Sequence, residues 1–288
     1  MRIGIIGGGR VGTCLAGYFK RMGVLCAITG STAEKSAELS AAFGVRPMDN
    51  AALVHAADVI FITVPDRKIA DVAREIAALL NRQSIEGKYF FHCSGSLGLD
   101  PLAALAVQGA HTGSLHPLQS FAGGATNLAG VYMAIDGDAA ATACAQKLAA
   151  ALGGICFKVP AGERAAYHAA ACFASNYAVV VEALAAKLMS RWTGSEEAAW
   201  QALLPLFNGT VNNLQATKLP GTALTGPIAR GDAATIEKHL AALPDEYVNA
   251  YLSLSTEAAK IALTNGTIDS KTAGKLEEIL QRPQKPEV

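Results

Sequence analysis

The sequence has no excess of either charge: 24 lysines and arginines meet 24 aspartates and glutamates in 288 residues. Nucleic-acid and membrane-surface partners call for a basic excess, so neither is expected, and the balance points to a small-molecule protein. There is no C-x-x-C pair. Cys14, Cys26, Cys93, Cys144, Cys156 and Cys172 lie scattered in apolar surroundings. That spacing argues against a disulfide framework and against a metal site, and for buried, reduced thiols in a cytoplasmic protein. Met1 to Gly7 runs straight into a strand-like segment without the charged and apolar regions of a secretory signal. The longest uncharged window, Ala165 to Val181, contains Tyr167, His168, Ser175 and Asn176 and is too short and polar for a membrane span. No repeat of fixed period and no low-complexity segment is present.

Hydrophobic residues make up 51% of the chain, enough to bury a substantial core in one large domain or two ordinary ones. β-Branched runs alternate with helical stretches through the first half. Strands are expected at Arg2–Ile6, Val24–Thr29, Val59–Val64, Tyr89–Cys93, Thr112–Leu115, Val131–Ile135 and Ile155–Lys158. Helices are expected at Val11–Met22, Ala33–Phe43, Ile69–Leu80 and Ala139–Leu152. This alternation predicts an α/β fold, a Rossmann-type, mostly parallel sheet covered on both faces. After Pro160 no strand-like run survives. Helices are expected at Glu163–Arg191, Ser195–Ala216, Asp232–Leu243, Glu246–Asn265 and Lys271–Leu280, bent or separated by prolines such as Pro205. The chain therefore reads as a dinucleotide-binding domain over 1–160 and an all-α substrate and dimerisation domain over 161–288. The tail from Arg282 to Val288 is expected to be loose.

The first strand runs into IGGGRVGTCLAG. Gly7, Gly9 and Gly12 form G-x-G-x-x-G between a strand and a helix, the context in which the motif binds a dinucleotide. Gly7 permits the turn, Gly9 lets backbone approach a pyrophosphate, and Gly12 lets helix and strand pack closely. The helix start at Val11 offers free N–H groups and a partial positive charge, and Arg10 could assist at the pyrophosphate or be a solvated helix residue. The second strand ends at Thr29-Gly30-Ser31-Thr32, with no carboxylate before Glu34. Ser31, Thr32 and Lys35 suit a phosphate where NAD would require an acid on its ribose, so NADP is expected over NAD.

Ligands lie at the carboxyl ends of such strands. Three ends are distinctive: Val64-Pro65-Asp66, His92-Cys93-Ser94-Gly95 and Ser114-Leu115-His116-Pro117. Val64 and Pro65 are expected against the cofactor. His116 is expected at a strand tip, held by the turn that Pro117 imposes rather than lying inside the sheet. An imidazole there could move a proton at working pH, with Ser94 as hydroxyl partner; bracing roles stay open for both, and more so for His92 within its strand. YHAAACFASNYAVVVEAL predicts a helix buried on most sides. His168, Cys172, Ser175 and Asn176 share about 100° of it, a polar stripe that could face a substrate or satisfy itself between helices. Arg230, in LTGPIARGD, could grip a substrate carboxylate or serve a surface or dimer contact.

GGGRVG, HCSGSLGLDPL, GSLHPLQSF, YHAAACFASNY and ALTGPIARGD occur together in this order. The set resembles the family that joins a Rossmann-like NADP-oxidoreductase domain to a C-terminal helical domain of unknown function. More distantly the layout is similar to pyrroline-5-carboxylate reductase, the β-hydroxyacid dehydrogenases and prephenate dehydrogenase. The last resemblance implies catalysis by Ser94 and His116. In the β-hydroxyacid group a lysine stands four residues before an asparagine. If Asn176 is that asparagine, Cys172 stands where the lysine would be, and a lysine mechanism cannot be carried over. The resemblance implies an NADP-dependent oxidoreductase and a homodimer through the helical domain. The expected reaction is hydride transfer to or from a small hydroxy, oxo or imino compound between the domains. His116 would be the acid/base, His168 and Ser94 would assist, and Asn176 and Arg230 would orient the substrate. An imine reductase needing no strong enzyme acid is one alternative. A non-catalytic NADP-binding sensor or assembly protein is another.

Overall fold

The apolar runs become strands where the alternation predicts them. The computed structural model describes residues 1–123 and 126–282. The elements in chain order are β1 (Ile3–Ile6), α1 (Arg10–Arg21), β2 (Leu25–Thr29), α2 (Ala33–Phe43), α3 (Asn50–Ala56), β3 (Val59–Ile62), α4 (Asp66–Leu79), α5 (Arg82–Ile85), β4 (Tyr89–His92), α6 (Ala103–Val107), β5 (His111–Pro117), β6 (Tyr132–Gly137), α7 (Ala139–Ala151) and β7 (Ile155–Lys158). Then come α8 (Arg164–Ala174), α9 (Asn176–Thr193), α10 (Glu196–Gln215), α11 (Ala233–Ala242), α12 (Asp245–Thr264) and α13 (Ser270–Gln281). The sheet order is β2-β1-β3-β4-β5-β6-β7. All neighbours are parallel except β5 and β6.

β1 and β3 are buried along their whole length because helices cover both faces of the sheet. Ile3, Ile5, Phe61 and Phe91 face one core, and Ile6, Ile60, Ile62 and Phe90 face the other, as the two-residue period requires. The ring of Phe61 lies 5.5 Å from those of both Phe19 and Phe91, joining α1, β3 and β4.

The chain divides into two compact units, Met1–Tyr177 and Ala178–Val288. The first helix after the sheet, α8, thus falls with the sheet. The second unit has its own core around Ile236, Ala262, Leu276 and Ile279. Five of the six cysteines are only partly buried and Cys14 alone is buried; all six are free.

Several expectations need correction. The short helices α3, α5 and α6 carry too few residues for a periodic signal; Asp49 and Asn81 cap the first two. The helix expected over 163–191 is interrupted at Ser175, whose φ of −125° and ψ of −68° leave the helical region. Pro205 lies inside α10, as the helix expected at Ser195–Ala216 required. The expected tail is described only at Arg282, which pairs with Glu237 at 3.1 Å; residues 283–288 lie outside the described residues.

The largest correction concerns YHAAACFASNYAVVV, which is not buried on most sides. Phe173 is 72% exposed, Val179 68% and Val180 51%. Apolar composition shows that a surface favours cover, and this chain leaves much of it bare. Among the described residues, Ala161–Thr193 is the one segment long and apolar enough to cross a membrane. Its first turns are instead committed to the sheet, as described below.

Phe61→Ala should cost about 3–5 kcal/mol by removing the ring that bridges two others. Urea unfolding at constant pH measures it, and a loss under 1 kcal/mol would show that the three rings do not pack as a unit.

Candidate active site

The turn after β1 is built for a backbone-bound ligand. Gly7 has φ +120°, and a Cβ there would lie 2.7 Å from the Thr63 carbonyl carbon. A Cβ on Gly12 would strike the Gly7 carbonyl and stand 2.5 Å from Thr63 Oγ1. Protein packing therefore explains these two glycines. Gly9 is different: a Cβ there would meet only Thr63 O, at 3.9 Å. Its open face is where a ligand would approach the backbone. Gly9 is also the N-cap of α1, with no side-chain cap and no acid in the first turn. Asp or Asn side chains cap α3, α5 and α7, whereas the N–H groups at the start of α1 are left for an anion. Arg10 is exposed and reaches Phe121 O at 3.4 Å.

A cavity of about 610 Å³ opens on this turn, lined by Gly9, Ser31, Lys35, Thr63, Val64 and Pro65 among others. A second, of about 580 Å³, shares Gly30, Ser31 and Asn50 with it and continues past Thr32 to Met48. These residues fit an elongated dinucleotide. Thr32 Oγ1 is committed to capping α2, accepting from Lys35 N at 3.2 Å. Ser31 and Lys35 remain for an added phosphate, and Lys35 now pairs with exposed Glu38 at 2.8 Å.

Three and four strands across from β2, the ends of β4 and β5 carry the titratable groups. Ser94 Oγ donates to Asp66 Oδ2 at 2.6 Å and accepts from Ser96 N and Leu97 N. Its hydrogen-bonding capacity is thereby spent on bracing the loop. His92 is fully buried. Its Nδ1 accepts from Ser94 N at 3.2 Å, so Nε2–H donates to Gly98 O at 2.9 Å. Burial pushes this imidazole down to about 4.

His116 does not sit in a turn after its strand. β5 runs through Pro117 and pairs His116 with Ala134 and Pro117 with Met133 on β6. β4 has already ended at the His92–Ser114 pair. Leu118 N donates to Tyr132 O, so by alternation Pro117 faces the side β4 has vacated and costs the ladder no bond. His116 thus stands on a strand overhang. Its Nδ1 lies 2.7 Å from Tyr167 Oη, the rings edge-on at 87°. The His168 ring is 6.0 Å away. Gly95 makes room for both imidazoles: a Cβ there would stand 2.7 Å from His168 Nδ1 and 2.9 Å from His116 Nε2.

Arg164 holds this group together. Fully buried, it donates from Nη2 to Ser114 Oγ and from Nη1 to Ser94 O at 3.4 Å. Its Nε and His168 Nδ1 are buried without partners. Burial first, then the charges of His168 and Arg164, push His116 down to about 4, against Asp66 pulling the other way. Burial raises the Tyr167 phenol to about 12.

The first unit therefore gathers Gly7, Gly9, Gly12, Val64, Pro65, Ser94, His116 and His168 along one sheet edge. Asn176 is exposed at the start of α9, and Arg230 is exposed at the end of a single turn, Ile228–Arg230, in the second unit. Tyr167, Arg164 and Asp66 were given no site role in the sequence, although Asp66 closes one of the distinctive strand ends. Only the spacing of Arg164, Tyr167 and His168 at i, i+3 and i+4 could have linked the first two to His168.

Residues 2–85 match a family model described as NADP oxidoreductase, coenzyme F420-dependent. Residues 131–258 match a domain of unknown function, DUF2520. The N-terminal part of the chain thus matches the NADP-oxidoreductase model and the C-terminal part the DUF2520 model, each over less than half of the chain. The DUF2520 match takes in β6, α7 and β7 as well as helices α8 to α11, so it begins inside the sheet. Comparison with curated proteins returns no match. Among solved structures, a Bacteroides fragilis protein inferred to be an NADP oxidoreductase is 23% identical, covering 90% of this chain and 98% of its own, with a TM-score of 0.73. An imine reductase from Myxococcus stipitatus in complex with NADP+ is 18% identical over 96% of this chain and 100% of its own, TM-score 0.61. The Plasmodium falciparum pyrroline carboxylate reductase with NADP bound is 13% identical over 96% and 98%, TM-score 0.59. At these identities the likeness is one of fold. The Rossmann-like sheet and helical region are shared along nearly the full length.

The depressed imidazoles set a pH dependence of stability. His92 and His116 titrate near 6.5 in the unfolded chain and near 4 when folded. Above pH 6.5 both are neutral in either state and stability is full. As pH falls from 6.5 toward 4 the unfolded chain binds protons first, and roughly 3 kcal/mol per histidine is lost. Urea unfolding at pH 7.5 and 4.5 should show this drop, reduced by about half in His116→Gln. Equal pH slopes in the two proteins would mean that His116 titrates normally.

Proposed function

We propose that the protein is an NADP-dependent oxidoreductase that moves hydride to or from a carbon of a small hydroxy, oxo or imino compound. The observation that carries this reading is the pairing, on one sheet edge, of a glycine turn with an open face at Gly9 and the His116–Tyr167 pair. Strands lie about 4.8 Å apart, so three strand steps separate the two by about 14 Å, a span that a dinucleotide covers. The matched N-terminal family is one of NADP oxidoreductases, and neighbours of the same fold include proteins named as imine and pyrroline carboxylate reductases.

When bound, the nicotinamide supplies or accepts the hydride. The residues of this chain do the rest. Backbone N–H groups at Arg10, Val11 and Gly12 hold the pyrophosphate, with Gly9 admitting it. Ser31 and Lys35 take the extra phosphate, and Thr32 fixes the helix start from which Lys35 projects. Val64 and Pro65 line the way to the nicotinamide. His116 would face the reacting carbon's oxygen or nitrogen, Ser94 braces the loop beneath, His168 would complete the wall, and Asn176 would orient the substrate. With its pKa near 4, His116 is an imidazolium in only about one molecule in a thousand at pH 7. That favours the imino member of the substrate class, because a protonated imine brings its own proton.

The bare apolar surface of α8 and α9, with Trp192 72% exposed and Leu206 on α10 69% exposed, supports a homodimer through the helical region.

Titration of NADPH fluorescence tests the reading. Lys35→Ala should weaken NADPH about tenfold, equivalent to about 1.4 kcal/mol, and leave NADH nearly unchanged. Absence of any response to either nucleotide would refute the dehydrogenase. With an active substrate in hand, His116→Ala should lower turnover at least tenfold; parent-rate turnover would make His116 structural. Sedimentation at micromolar protein should give twice the monomer mass.

A further inference from the structure

The geometry points to Tyr167 as a positioning residue that fixes the proton of His116 on Nε2, so that a neutral Nε2–H is presented to the ligand. Nδ1 of His116 lies 2.7 Å from Tyr167 Oη. Either group could donate in such a contact, but the two arrangements are unequal. A phenol is the stronger acid of the pair and an imidazole nitrogen the stronger acceptor, so O–H···N is preferred over N–H···O. The neutral ring then carries its hydrogen on Nε2.

The surroundings hold this arrangement in place. Tyr167 packs edge-on against Phe157 of β7 at 5.7 Å as well as against His116. Its backbone is set one turn beyond Arg164, which is anchored to Ser94 and Ser114. The hydroxyl therefore has a fixed position and makes no other side-chain hydrogen bond among the described residues. On the far side of the ring, Nε2 makes no hydrogen bond and is not among the sealed polar atoms, whereas His168 Nδ1 is sealed. Nε2 stands over the bare Cα of Gly95. A hydrogen bond from a neutral N–H stabilises negative charge growing on a substrate oxygen or nitrogen, and it needs no imidazolium. His116 on this view polarises the reacting bond instead of acting as a strong acid. That consequence for turnover rests on the oxidoreductase reading; the location of the proton does not.

The test is nitrogen NMR of the full-length protein labelled with 15N-histidine at pH 7.5, with His116 assigned by the His116→Gln variant. Nδ1 is expected in the range of a bare imidazole nitrogen and Nε2 in the range of a protonated one. In Tyr167→Phe the two resonances should move toward each other as the tautomers mix, with the other five histidines unchanged. Replacing tyrosine with 3-fluorotyrosine strengthens the phenol as a donor without altering the packing, and should shift His116 Nδ1 if Tyr167→Phe fails to fold. A parent spectrum with the proton on Nδ1 would overturn the proposal. So would a His116 pair of resonances unmoved by either change. Failure of the oxidoreductase reading would show separately, as no binding of NADPH, and would leave this spectrum as it is.

Discussion

The candidate site depends on one buried cation. Arg164 is fully enclosed, and no carboxylate comes within ion-pair distance of it among the described residues. A guanidinium in that position costs several kcal/mol unless its hydrogen bonds are made. Two are made, to the Ser94 carbonyl and the Ser114 hydroxyl; the Nε hydrogen is not satisfied. Asp136, paired across the sheet with Ser114, offsets part of the charge from a distance. What the arrangement secures is the position of α8. Its first residue is fastened at once to the ends of β4 and β5, and residues three and four further along must then overhang the same strands. Tyr167 and His168 meet His116 because of where Arg164 is held.

This anchoring explains why the architecture could be read from the sequence more fully than the site. Strands and most helices announce themselves through local periods, and all seven strands lie where alternation of β-branched residues placed them. The glycine turn is equally local: the six residues from Gly7 to Gly12 carry both its conformation and its chemistry. The cluster at His116 is assembled from partners 28 to 70 positions apart, Asp66 with Ser94 and Arg164 with Ser94. No local pattern records such pairings. Arg164 reads in the sequence as the charged start of an alanine-rich helix, a position that is normally solvated. Pro117 misled for a related reason. A proline after a histidine suggests the end of a strand, but β4 stops two residues short of His116, so the missing N–H falls where no partner stands.

Helix α8 and its continuation show the limit of composition from the other direction. A nearly uncharged run predicts burial, and composition cannot tell whether the cover comes from the same chain. Arg164 and Tyr167 bury one end of the run against the sheet, while Phe173, Val179 and Val180 remain bare. The same run therefore serves two purposes, site construction at its beginning and an uncovered apolar surface beyond.

The chemistry available to His116 follows from this burial. An imidazole in water sits near the midpoint of its titration at working pH and serves equally as acid or base. Enclosed between Tyr167, His168 and the charge of Arg164, this one takes a second proton only in acid. A lysine four residues before Asn176 would be an alternative donor, and Cys172 stands there. Burial that lowers the basicity of the ring also strengthens any hydrogen bond it donates, because water no longer competes for the N–H. A neutral imidazole in a dry setting is thus a weak acid and a good polarising group. Such a site suits a substrate that arrives already protonated or that needs only a fixed donor beside the atom on which charge develops.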